Sequence, residues 1–325
     1  MRTSFPCRFH TEGNRILDPA GNVTVFRGLN VVDPVLQASA EAPELGTWEE
    51  AYYAEVSRWG ADIVRVPLGP LPWRHNGVRR LAVLDRTLDW IGGLGMYAIL
   101  DFHSIGFPPD GHYADTGYGP DAHATDEEEM REFWQTLSAR YADNHVVAFY
   151  ELFNEPVAEG RKGTEGDWRR WRAFCEGIVD VIRANDTQKP VIVGGLDFAH
   201  DLSFVPAQPV ERPDVVYATH VYPERTGGWD ERFGRTAEQH PVFCTELGFV
   251  LDPAGFDASY ALETLYGPEG RFRSELMTYL EGRRISWTAW CFVVQWGPGL
   301  LAGRGYAPNQ AGAFFREQLL LHRSR

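Results

Sequence analysis

Short runs of β-branched and aromatic residues alternate with segments whose apolar residues recur every three or four positions, and the alternation covers most of the chain. Eight runs read as strands: "VTVFRGLNV" (23–31), "ADIVRVPL" (61–68), "MYAILDFH" (96–103), "VVAFYELFNE" (146–155), "PVIVGG" (190–195), "VVYATHVY" (215–222), "PVFCTELGF" (241–249) and "ISWTAWCF" (285–292). Helical periodicity is clearest from Thr125 to Asp143, where Met130, Phe133, Trp134, Leu137 and Tyr141 share one face. Thr125 followed by Glu128 predicts a capping box at its start. Trp168, Trp171, Cys175, Ile178 and Ile182 mark a second helix, and others are predicted near 48–60, 79–95, 259–281 and 310–320. The connection after the fifth strand is poorly periodic.

Strands separated by helices imply a parallel sheet, because each return to the same edge of the sheet needs a crossover. Eight such units close a (β/α)8 barrel, the TIM-barrel architecture of the α/β class. A doubly wound open sheet is the rival, but no G-x-G-x-x-G follows the first strand and no phosphate loop occurs. With no internal repeat, Gly/Ser linker or low-complexity tract, the expectation is one barrel domain over residues 1–325, with no separate binding module.

Composition narrows the partners. A formal charge of −14 without Lys/Arg clusters argues against nucleic acid or an anionic membrane surface. No run of 18 apolar residues is present, so no membrane span is expected, and "MRTSFPCRFH" lacks the apolar region of a signal peptide. Cys7, Cys175, Cys244 and Cys291 lie far apart, which gives neither a disulfide framework nor a zinc ribbon.

In a barrel of this kind, functional side chains sit at the C-terminal ends of the strands. There the sequence puts Arg65 (strand two), His103 (three), Asn154 and Glu155 (four), His220 and Tyr222 (six), Glu246 (seven) and Trp290 (eight). Each has a bland alternative. Arg65 neutralises a nearby acid, the histidines are satisfied core residues, the aromatics pack, and Glu246 joins a structural ion pair. Their clustering at one end of six strands is what favours chemistry. In regular strands, alternation puts Cys244, Glu246 and Gly248 on one face, and Ala218, His220 and Tyr222 on another. "FYELFNEPV" holds a second acid, Glu151, which is either a deep structural acid partnered by a group such as Arg65 or turned toward the helices.

Two carboxylates across a barrel mouth suit glycosidic bond cleavage, in which one carboxyl donates a proton and the other attacks or activates water. Arg65 and Tyr222 offer Glu246 the donors that keep a nucleophile anionic, Asn154 offers a donor to a sugar hydroxyl, and Trp290 offers a flat face to a pyranose. The sequence resembles glycoside hydrolase family 5. The likeness is carried by "RGLN" (27–30), "VRVP" (64–67), "DFH" (101–103), "NEP" (154–156), "HVY" (220–222), "TELG" (245–248) and "WTAW" (287–290). The resemblance implies retention by double displacement, with Glu155 as acid/base and Glu246 as nucleophile. It assigns Arg65, His103, Asn154, His220, Tyr222 and Trp290 to support and substrate binding, and implies neither metal nor organic cofactor.

The partner implied is a β-linked oligo- or polysaccharide, foremost a β-glucan or β-mannan cut internally. The alternatives are exo-action on short oligosaccharides or glycoconjugates, and a catalytically silent carbohydrate-binding barrel. Substrate choice belongs to the loops. "SIGFPPDGHYADTGYGPDAHA" follows His103, and the spacing of His112 and His123 within it fits no standard metal site. "QWGPGLLAGRGYAPNQAG" follows strand eight and brings Trp296 and Tyr306. Trp229 and Trp296 are the candidate subsite aromatics.

Overall fold

The eight strands predicted from the sequence close into a barrel in the computed structural model, which describes residues 4–39, 45–77, 79–116, 121–159, 162–223, 228–251 and 271–323. They are β1 (Arg27–Asn30), β2 (Ile63–Leu68), β3 (Tyr97–Phe102), β4 (Val147–Glu151), β5 (Val191–Gly194), β6 (Val215–Val221), β7 (Val242–Leu247) and β8 (Ser286–Ala289). Every neighbour is parallel and in chain order, and β8 pairs with β1 to close the ring. Helices Glu50–Arg58, Arg79–Gly93, Glu127–Tyr141, Glu165–Arg183, Arg271–Arg283 and Gln310–Arg323 account for the periodic segments. Of the helix expected near 259–281, residues 259–270 lie outside the described residues. Between β5 and β6 there is no α-helix. Isolated bridges and turns fill residues 195–214, as the missing periodicity there foretold.

The helix expected at Thr125 is capped one residue later. The Asp126 side chain accepts from the Glu129 amide, while the Thr125 hydroxyl bonds the Glu129 carboxylate. A carboxylate is a stronger acceptor for a helix N-terminus than a hydroxyl, and it also complements the helix dipole.

Alternation along each strand separates two environments. Val64, Val66 and Leu68 of β2, like Ala98, Leu100 and Phe102 of β3, pack outward into the layer shared with the helices. Ile63, Ile99, Phe149, Ile192, Val216 and Phe243 meet inside the barrel. This inner apolar layer is floored by a short antiparallel hairpin, His10–Glu12 with Arg15–Leu17, whose Phe9 and Ile16 plug the N-terminal end. One step further along the strands the interior turns polar. Barrel interiors are normally filled by branched apolar side chains, so a polar layer marks where stability gives way to chemistry.

The first part of the long segment after His103 forms regular structure. Ile105–Phe107, His112–Tyr113 and Glu155–Pro156 form a three-stranded sheet beside the barrel mouth. Gly106 permits it, since its φ is +155° and a Cβ there would lie 2.3 Å from the His112 carbonyl oxygen.

Candidate active site

At the centre of the polar layer lies Arg65, fully buried on β2 and facing inward like Ile63 two residues below it. Its Nη1 donates to Glu246 Oε1 at 2.7 Å and to Asn30 Oδ1 at 2.9 Å. Nε and Nη2 donate to the two oxygens of Glu151 at 2.6 and 3.2 Å, and Nη2 also reaches Asn154 Oδ1 at 2.8 Å and Asp101 Oδ2 at 3.0 Å. One guanidinium therefore faces three carboxylates. Glu151 is the deep structural acid of the two readings, partnered by Arg65. Burial pushes its carboxyl above the ordinary range, and the guanidinium on both its oxygens works the other way.

Glu246 reaches this site through an irregularity. β6 and β7 pair Thr219 with Cys244 but His220 with Glu246, so one extra residue is accommodated in β7. Phe243 lies in the barrel interior and Cys244 in the outer layer, as alternation requires. The bulge then lets consecutive residues Thr245 and Glu246 both face inward. Cys244 and Glu246 do not share a face, and the regular alternation expected for this strand is corrected. In β6 alternation holds, with Ala218 in the inner apolar layer and His220 and Tyr222 above it.

Adjacent residues Asn154 and Glu155 reach the mouth by a different route. β4 ends at Glu151, and the chain then pairs with the segment after β3. The Asn154 amide donates to the Phe102 carbonyl, and the Glu155 amide to that of Ser104. Arg65 takes the carbonyl end of the Asn154 amide, which turns the NH2 end away from the guanidinium.

The two mouth glutamates have opposite surroundings. Glu246 accepts from Arg65 at Oε1 and from the Tyr222 hydroxyl at Oε2, 2.7 Å each. Glu155, partly exposed, has His220 Nδ1 3.0 Å from its Oε1. An oxygen of Glu155, a nitrogen of His220 and an oxygen of Glu246 all lie within 4.8 Å of one another. Burial pushes His220 down to about 4 and His103 down to about 3, so both imidazoles are neutral at pH 7. His103 Nδ1 meets Asp101 Oδ2 at 2.7 Å, and its ring lies nearly parallel to Trp290, 5.4 Å between centroids. Burial pushes Asp101 up to about 7 against the pull of Arg65.

These residues open onto a cleft of about 780 Å³. His103, Asn154, Glu155, Tyr222, Glu246 and Trp290 line its floor. Trp296, Gln295, Asp33, Leu36, Leu71 and Pro72 also line it. Trp296 lies parallel to Trp290, 6.1 Å away. Trp229 does not line the cleft: it packs against Phe272 and Tyr279 of helix Arg271–Arg283, 6.1 and 5.3 Å away, and its candidacy as a subsite aromatic is withdrawn. Tyr306 likewise turns from the cleft, stacked on Phe292 with its hydroxyl donating to Glu49. His123 lines the cleft, while His112 pairs in the small sheet.

Glu155, His220 and Glu246 form the donor set among the described residues that could hold a cation. Both oxygens of Glu246 are taken by Arg65 and Tyr222, and both nitrogens of His220 by Glu155 and Thr245. A cation there would also lie beside the guanidinium. The arrangement suits proton transfer and nucleophilic attack better than metal ligation. Sequence reasoning missed Asn30, Asp101 and Thr245, each of which contacts a residue it did find. Asn30 ends "RGLN" with its side chain inward, and Asp101 precedes His103 by two positions, so strand parity was the available signal.

A family model described as cellulase, glycosyl hydrolase family 5, matches residues 17–295. Among solved structures, the native form of a β-glucanase from Saccharophagus degradans superposes with a TM-score of 0.88 at 30% identity, covering 99% of this chain and 95% of that one. The same β-glucanase in complex with cellotetraose gives 0.87 at 29% identity. An endoglucanase of Paenibacillus polymyxa is 22% identical, the match covering 87% of this chain and 79% of that protein. Endoglucanase A of Evansella cellulosilytica is 25% identical over 242 residues, 70% of this chain but 43% of its own length. The chain thus spans less than half of some of its curated relatives.

Proposed function

The chain belongs to glycosyl hydrolase family 5, and on that premise we propose that it cleaves β-glucan chains internally by a retaining double displacement, with Glu246 as nucleophile and Glu155 as acid/base. The observation that carries the assignment is the unequal pair at the mouth. Retention needs two carboxyls about 5–5.5 Å apart, and oxygens of Glu155 and Glu246 lie within 4.8 Å. Glu246 accepts from Arg65 at one oxygen and from Tyr222 at the other, which fixes the orientation of its carboxyl, and His220 Nδ1 stands 3.5 Å from the second oxygen. Glu155 faces a neutral imidazole, His220 Nδ1 standing 3.0 Å from its Oε1, the setting of a group that exchanges a proton.

In the first step Glu246 attacks the anomeric carbon, the glycosidic C–O bond breaks, and the leaving oxygen takes the proton of Glu155. In the second, Glu155, now a carboxylate, takes a proton from water. The water oxygen bonds to the anomeric carbon, and Glu246 leaves as carboxylate. Arg65 and Tyr222 hold Glu246 in place, which reduces the reorganisation each step requires. Asn154 and His103 offer polar contacts to the sugar whose glycosidic bond is cleaved, and Trp290 and Trp296 offer flat apolar faces along the cleft.

The β-glucan substrate rests on the relatives, among them the β-glucanase seen with cellotetraose. The test is soluble β-glucan digestion, with product lengths and the anomer first released followed by NMR. Mixed oligomers early in the reaction, first released as the β-anomer, support the reading. One small product throughout overturns internal cleavage, and the α-anomer overturns retention.

A further inference from the structure

Thr245 has no part in the two chemical steps, yet it lies completely buried in the barrel interior, beside the Glu246 that the β7 bulge turns the same way. Its carbonyl is fixed from two sides, accepting from Asn30 Nδ2 at 3.0 Å and from the Thr288 hydroxyl at 2.6 Å. Its hydroxyl lies between two functional groups. It donates to Glu151 Oε1 at 2.8 Å, and His220 Nε2 stands 3.1 Å from the same oxygen.

A hydroxyl has one proton, and here Glu151 receives it. Glu151 accepts because Arg65 engages both its oxygens. With its only proton spent, the Thr245 oxygen can only accept from His220, so Nε2 carries the imidazole hydrogen. A neutral imidazole has a single N–H, and burial keeps His220 neutral at pH 7. Nδ1 is then an acceptor, 3.0 Å from Glu155 Oε1 and 3.5 Å from Glu246 Oε2, the nearer oxygen being the one in hydrogen-bond contact. Two acceptors do not bind each other without a proton between them, and that proton belongs to Glu155. We propose that Thr245 is a positioning residue for the reaction: its hydroxyl fixes His220 as the Nε2–H tautomer, and Nδ1 thereby holds Glu155 in the protonated form that a general acid requires.

The chain Arg65–Glu151–Thr245–His220–Glu155 gives the deep acid a functional part. It carries the orientation of the buried guanidinium to the proton of the mouth carboxyl, while another edge of that guanidinium donates to Glu246. One arginine thus reaches both mouth carboxyls, Glu246 directly and Glu155 through the chain. Losing the Thr245 hydroxyl frees His220 to place its hydrogen on Nδ1, where it donates to Glu155 and favours the carboxylate.

The inference rests on Glu155 as the acid, and the experiment separates the two claims. Thr245→Val keeps the shape and removes the hydroxyl, and Thr245→Ser restores it. Histidine ring ¹⁵N–¹H correlation spectra at neutral pH read the His220 tautomer in the resting protein, without any turnover. Wild type and T245S should show Nε2–H, and T245V should lose it. In T245V, kcat/KM on cello-oligosaccharides, whose leaving groups need a proton, should fall on the order of 10²-fold, the lower end of what general acid catalysis contributes. A nitrophenyl glycoside, with its good leaving group, should lose far less, and T245S should recover most of the loss. Nδ1–H in the wild type, or equal losses on both substrates in T245V, overturns the proposal. If T245V does not fold, the wild-type and T245S spectra still decide it. Glu155→Ala reads the underlying assignment separately: equal loss on both substrates there removes Glu155 as the acid, whatever the tautomer of His220.

Discussion

At the scale of the residue, one buried cation organises the site. Removing charges from water is costly, and the cost is offset only when every lone pair and proton finds a partner. Arg65 meets that condition, with oxygens of Asn30, Asp101, Glu151, Asn154 and Glu246 arrayed around its fork. Lysine lacks the planar fork and would not span these partners. His220 illustrates the same burial with a sign that can be measured. Its native pKa is near 4, below the value of about 6.5 expected in an unfolded chain. Between those values the unfolded state takes up the proton and the native state does not, so this group's contribution to stability is full above about pH 6.5 and is lost as pH falls toward 4. His220→Asn removes that contribution. Urea unfolding of both proteins near pH 7 and near pH 4.5 should show a larger loss of stability in wild type than in H220N; an equal or smaller loss would mean the native protein houses the imidazolium. The outline of this site was legible in the sequence, because Arg65, Glu155, His220 and Glu246 all stand at strand ends where the barrel predicts function. For Glu151 the sequence offered Arg65 as a partner but left a turn toward the helices equally open, since nothing local joins it to a residue 86 positions away in the chain.

At the scale of the element, position depends on small departures from regularity. The β7 bulge brings Glu246 into the interior beside Thr245, and nothing in "VFCTELGF" signals where an extra residue will be accommodated. Without the bulge, regular alternation would turn Glu246 outward and leave Thr245 alone facing the lumen. The N-terminal hairpin was also missed, because three-residue strands show no period long enough to read. It closes the barrel floor through Phe9, which sets its ring edge-on to Phe26 at 4.9 Å and stacks against Phe149 at 6.3 Å. Phe9→Ala opens a cavity in this layer and should cost about 3–5 kcal/mol in unfolding free energy, measured by denaturant titration. The polar layer stands between that floor and the cleft, so kcat/KM below the unfolding transition should stay close to wild type. A large fall in activity without unfolding would show that the floor also shapes the site.

At the scale of the molecule, the sequence carried the architecture because the barrel is repetitive. Eight strands with an apolar outward face and alternate inward positions leave few other topologies once the crossovers are parallel. The loops did not follow the same logic. The segment after His103 builds a small sheet with Glu155–Pro156, and Trp229 joins the helical layer while Trp296 reaches the cleft. Aromatic composition predicts both behaviours equally, and only packing separates them. Among the described residues no helix is long and apolar enough to cross a membrane. The central claim is that Glu246 forms a covalent bond to the sugar while Glu155 manages the proton. Its most direct measurement uses an activated 2-deoxy-2-fluoro cellobioside, whose fluorine slows breakdown of the glycosyl-enzyme more than its formation. Intact-mass and peptide analysis should show one sugar adduct on the peptide containing Glu246, absent from Glu246→Ala. An adduct on Glu155, or turnover of the probe by E246A at the wild-type rate, would contradict the account.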